Sequence, residues 1–120
     1  MSLSSVLLSG STDGKQIKVT GTSTAATVTV HTAHATAHDC IYLYVDNDDT
    51  TGPVTLTLEM GGTTDPDNLI KKTIYARGVA GQDGRICVLD GYVLTNSQII
   101  KAFASSANKL KLSGKVVRSS

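Results

Sequence analysis

Between Asp39 and Gly62 the chain reads DCIYLYVDNDDTTGPVTLTLEMGG, and apolar and polar residues alternate along most of it. Ile41, Leu43 and Val45 interleave with Tyr42, Tyr44 and Asp46; Val54, Leu56, Leu58 and Met60 interleave with Thr55, Thr57 and Glu59. Successive side chains of a strand point to opposite faces, so each segment has a greasy side and a wet side. The pattern predicts two half-buried antiparallel strands, joined as a hairpin by the Asp/Asn-rich turn between them.

The same period recurs along the chain. Ile17 and Val19 mark a strand at Gln16–Thr20, and Val28 and Val30 another at Thr27–Thr32. Asn68–Ala76 carries Leu69, Ile70 and Ile74 with Lys71 and Lys72 towards water, and Arg85–Leu89 follows a glycine-rich turn at Arg77–Gly84. Asp90-Gly91 predicts a tight reversal into Tyr92–Leu94, and Asn96-Ser97 a turn into Gln98–Ala104. Lys109–Arg118 closes the series with Leu110, Leu112 and Val116 inward. Gly61–Asp67, with its paired glycines and Pro66, reads as a loop. Thr95–Ser106 is the best helical candidate, ambiguous because of Ile99 and Ile100. Roughly nine or ten short strands, spaced by turn signals, predict an all-β antiparallel sandwich, the jelly roll among its forms, or a small barrel.

A chain of 120 residues is expected to make one domain, 1–120, in which residues 1–10 are an extended N-terminal arm or an edge strand. Trp is absent and Phe103 is the lone Phe, so the core rests on Val, Leu, Ile and Ala. A core that thin suggests added stability from association with copies of itself or a larger assembly. The formal net charge of +1 argues against nucleic acid as the main partner. The opening MSLSSVLLSGS lacks the basic start of a secretory signal, and no apolar run approaches the roughly 20 residues of a membrane span. A soluble protein made in a cytoplasm is expected. Cys40 and Cys87 read as small buried hydrophobes, a disulfide being the alternative.

Few residues offer chemistry. His31, His34 and His38 have metal-ligand spacing only if helical; in a strand-rich context they read as a solvated connection, with metal binding or a pH-sensitive interface as alternatives. Asp46, Asn47, Asp48 and Asp49 open like a calcium loop, but Thr51 and Thr57 stand where glycine and glutamate are needed, so a self-capping turn is the simpler reading. The glycines match no phosphate-binding or dinucleotide motif, and no serine sits in a nucleophile elbow. The expectation is a non-enzyme with no metal or cofactor. Tyr42, Tyr44, Tyr75 and Tyr92 admit a carbohydrate-binding face, though on strands such rings more often cover a sheet or interface.

Three segments, SVLLSGSTDGKQIKVT, YLYVDNDDTTGPVTLTLEMGGTTDPDNLIKKTI and GYVLTNSQIIKAFASSANKLKLSGKVVR, give the chain a resemblance to small structural proteins encoded among the head genes of tailed bacteriophages. It covers most of the chain; His31–His38 and Arg77–Gly84 fall outside it. The resemblance implies a virion component made in the host bacterium. The first form it implies is a capsid decoration or cement protein, often trimeric, whose partners are the major capsid protein and copies of itself. A neck, tail or fibre-base protein is the nearest alternative. No catalytic residues come with the resemblance. Leu3, Val6, Leu7 and Leu8 are the expected interface residues, anchoring an arm that adds a strand to a neighbouring sheet.

Overall fold

The computed structural model describes residues 3–63, 68–78 and 85–119. Nine strands run through them: β1 Leu3–Val6, β2 Ile17–Lys18, β3 Val28–Thr32, β4 His38–Asn47, β5 Val54–Met60, β6 Leu69–Ile74, β7 Ile86–Leu94, β8 Ile99–Ala104 and β9 Leu110–Ser119, with a single 3₁₀ turn at Thr24–Ala26. The ambiguous segment Thr95–Ser106 contains strand β8 and no helix. Asn96 and Ser97 hold φ of 59° and 60°, a left-handed pair that turns the chain and breaks any helical period before the β-branched Ile99 and Ile100. Residues 64–67 of the expected loop and 79–84 of the expected glycine-rich turn lie outside the described residues.

The strands make two antiparallel sheets packed face to face. One has the order β1-β9-β4-β7, with β2 also on β9; the other has the order β3-β8-β5-β6. With β1 and β2 taken as one interrupted strand, the first strand pairs with the last, β3 with β8, β4 with β7 and β5 with β6. The β9–β4 and β8–β5 pairings then join this nested set into two sheets. A long hairpin rolled over on itself in this way is the jelly roll, an all-β sandwich.

This wrapping corrects the expected hairpin. β4 and β5 are both strands, but they lie in different sheets, and residues 48–53 arch from one to the other. Both edges of β4 are taken by β9 and β7, and both edges of β5 by β8 and β6, so neither offers a ladder to the other. The wet side of β5 is also lost: Thr57 and Glu59 are buried, and the Glu59 carboxylate accepts a hydrogen bond from Thr24 Oγ1 at 2.9 Å.

Ile41, Leu43 and Val45 of β4 and Leu110, Leu112 and Val116 of β9 meet Leu56 and Leu58 of β5 and Ile100, Ala102 and Ala104 of β8 in one core. The inner faces of two packed sheets lie about 10 Å apart, which suits aliphatic side chains interdigitating with small alanines.

Bulges adjust the register in two strands. On β7, Ile41 faces Tyr92 but Tyr42 faces Asp90, leaving Gly91 unpaired at φ 88°. Asp90-Gly91 is therefore a bulge inside a continuous strand and not the expected reversal. On β3, Thr29 faces Lys101 and His31 faces Ile100, so Val30 is the extra residue and both Val30 and His31 turn inward.

Candidate functional site

The N-terminal segment is an edge strand of the chain's own sheet. β1 pairs with β9 from Leu3 opposite Ser119 to Val6 opposite Val116. The four expected interface residues separate on folding. Leu8 is only 2% exposed and belongs to the core, and Val6 is half-buried against it, whereas Leu3 and Leu7 are 68% and 53% exposed. Among the described residues β1 has a ladder partner on one side only, so its other side presents free backbone donors and acceptors beside two exposed leucines.

The three histidines do not converge. His31 is buried, with Nδ1 accepting the Ser9 amide at 3.0 Å and Nε2 bonded to Asp39 Oδ2 at 2.8 Å. With Nδ1 accepting, the proton sits on Nε2 and is given to Asp39, so the ring has no free lone pair for a metal or a substrate proton. His34 caps its own turn, Nδ1 accepting the amides of Thr36 and Ala37 at 3.1 and 2.9 Å, and His38 is exposed at the start of β4. Among the described residues no three His, Cys, Asp or Glu side chains group as metal ligands.

Asp39 is the centre of this region. Opposite it on β9 stands Arg118, whose Nε bonds Oδ1 at 2.7 Å and whose Nη2 bonds Oδ2 at 3.0 Å. The His34 amide adds a bond to Oδ2 at 3.2 Å. Arg118 first, then His31 and the His34 amide, hold the Asp39 carboxyl well below the usual carboxylate range against the opposing effect of burial. Asp39 in turn raises the Arg118 guanidinium. The network closes on itself, tying the loop at Ser9, strands β3 and β4, and the last strand into one unit.

The acidic turn is likewise occupied from within. Asp48 is bonded by Lys111 at 2.6 Å and by Arg77, and Lys111 foremost lowers its carboxyl. Asp49 accepts from the Thr51 amide and hydroxyl, which lower it too. Asn47 donates to Ile74 and Tyr75 carbonyls at 3.0 and 3.1 Å, stapling the end of β4 to the end of β6 across the two sheets.

The outer face of the β1-β9-β4-β7 sheet carries Tyr42 and Tyr44. Lys115 sits over the Tyr42 ring at 5.5 Å and Arg85 over the Tyr44 ring at 4.3 Å, so each ring has a cation on one face. Cys40 faces Val93 and Cys87 faces Tyr44, about 13 Å apart along β4, beyond disulfide reach, and both are free thiols. Cys87 is exposed, which corrects its reading as a buried hydrophobe.

Sequence reasoning passed over Arg118 and Arg85. Parity could have found Arg118, since it falls on the inward series of Leu110, Leu112 and Val116, where a charge demands a partner. Arg85 lies before its strand and had no such signal. Comparison of the chain with protein-family models, with curated proteins and with solved structures found no match.

Proposed function

We propose that this is a non-enzymatic virion structural protein, a decoration or cement protein that binds and stabilises the assembled phage head. The observation that carries the reading is the edge strand β1 with Leu3 and Leu7 exposed beside a free ladder edge. Such an edge accepts a strand from a neighbour, backbone hydrogen bonds giving affinity and the two leucines giving apolar anchorage. The phage-head resemblance and a sandwich topology that recurs among viral capsid domains support it. The partners are the major capsid protein and copies of this chain, the trimer being the favoured state. A protein that binds only the assembled shell shifts the equilibrium towards that shell by mass action.

The second reading is sugar binding, since lectins share this topology and Tyr42 and Tyr44 lie on an outer face. The cations over both rings weigh against it, because they occupy a face on which a sugar would stack. A neck, tail or fibre-base position uses the same edge strand and differs in copy number alone. The test is co-sedimentation of the purified protein with heads that lack it, comparing the parent with a Leu3→Asp/Leu7→Asp variant. The proposal expects the parent to pellet with heads and the folded variant to stay in the supernatant. Failure of the parent to bind, or glycan binding lost on Tyr44→Ala, overturns it.

A further inference from the structure

The outer face of the β1-β9-β4-β7 sheet also holds a groove of about 360 Å³ lined by Gly14, Tyr44, Arg85, Ser113, Gly114 and Lys115. Tyr44 and Ser113 are direct partners across β4 and β9, and Lys115 is the next outward residue of β9. Ser113 Oγ is buried and, among the described residues, is the one buried side-chain nitrogen or oxygen with no hydrogen-bond partner. Buried polar atoms are almost always satisfied, so an orphan hydroxyl on a groove wall marks a place where a partner is missing.

The charges in the groove point to the partner's chemistry. Every other arginine among the described residues is paired, Arg77 with Asp46 and Asp48 and Arg118 with Asp39, whereas neither Arg85 nor Lys115 has a described carboxylate within ion-pair distance. Among the described residues no carboxylate lines the groove; Asp13, next to Gly14, is exposed at its turn. Stacking on Tyr44 orients the Arg85 guanidinium and leaves its N–H edge available, a geometry suited to a carboxylate or phosphate. Gly114, between Ser113 and Lys115, admits no side chain, since a Cβ there would lie 2.0 Å from the Tyr42 carbonyl oxygen.

We propose that this groove is an oxyanion-binding site in which Arg85 and Lys115 supply charge and Ser113 Oγ donates a hydrogen bond to a carboxylate or phosphate group. It is independent of the virion reading, and the anion can come as a dissolved ion or on an acidic side chain of another protein.

The test is an amide chemical-shift titration of the whole protein with inorganic phosphate and with acetate, against chloride at matched ionic strength. Saturable shifts confined to Gly14, Ser113, Gly114 and Lys115 are expected. Preference for phosphate identifies a phosphate group, and equal response to acetate identifies a carboxylate. Arg85→Gln should weaken binding by roughly tenfold. Ser113→Ala should weaken it by roughly threefold without lowering the urea midpoint, because the lost hydroxyl has no partner in the protein. A purely structural serine gives the reverse: unchanged anion binding and a lower midpoint. That result, or shifts reproduced by chloride, overturns the proposal.

Discussion

Arg118 holds Asp39 by two hydrogen bonds, 2.7 Å from Nε to Oδ1 and 3.0 Å from Nη2 to Oδ2, from the position directly opposite on the neighbouring strand. Asp39 is fully buried, so its charge depends on that grip. Arg118→Leu leaves the carboxylate with His31 and one amide, and removal of one member of a buried pair costs about 3 kcal/mol. Urea unfolding should show that loss. Adding Asp39→Asn to Arg118→Leu should recover part of it, and simple additivity of the two substitutions would contradict the coupling.

The same carboxyl sets a pH dependence. Its folded value lies below its unfolded value of about 4, so the folded state resists protonation there more than the unfolded chain does. The stabilisation is complete above about pH 5 and is lost as pH falls through about 4 towards the depressed value. The stability gap between the parent and Asp39→Asn should be flat from neutral pH to about 5 and narrow below about 4. A gap unchanged at the acid end would show that Asp39 is not the group responsible.

Gly114 and Gly52 form a matched pair. A Cβ on Gly114 would lie 2.0 Å from the Tyr42 carbonyl oxygen, a backbone atom fixed in the β4–β9 ladder, while a Cβ on Gly52 meets nothing within 4 Å. Gly114→Ala should lower stability by roughly 2 kcal/mol or more and Gly52→Ala should change it by less than about 0.5 kcal/mol. Thermal melts of the two variants check this directly.

The N-terminal leucines should divide by role. Leu8→Ala removes a side chain only 2% exposed and should cost about 3 kcal/mol. Leu3→Ala and Leu7→Ala should each stay within about 0.5 kcal/mol of the parent while weakening the proposed binding to heads. A large loss of stability at Leu3 or Leu7 would place them in the fold and not in an interface.

Much of this architecture is legible in the sequence because strand period is a local property. Val54–Met60 and the inward series Leu110, Leu112 and Val116 follow from alternation alone. What fails is what alternation cannot carry. Adjacent strands β4 and β5 read as a hairpin, yet the edges of β4 are claimed by strands distant in sequence. His31 reads as outward by parity with Val28 and Val30, and the extra residue Val30 turns it inward. Asp90-Gly91 reads as a turn because a glycine at positive φ serves a turn or a bulge equally well. At the candidate site, alternation puts Asp39 on the inward side with Ile41, but a sequence separation of 79 from Arg118 hides their pairing.

The proposed decoration role on the assembled head is checked most directly by counting this protein in purified particles of a phage whose genome carries its gene. Quantitative mass spectrometry against the major capsid protein is the measurement. A shell-wide cement protein predicts a ratio near one copy per capsid subunit; a handful of copies, or none, would contradict it.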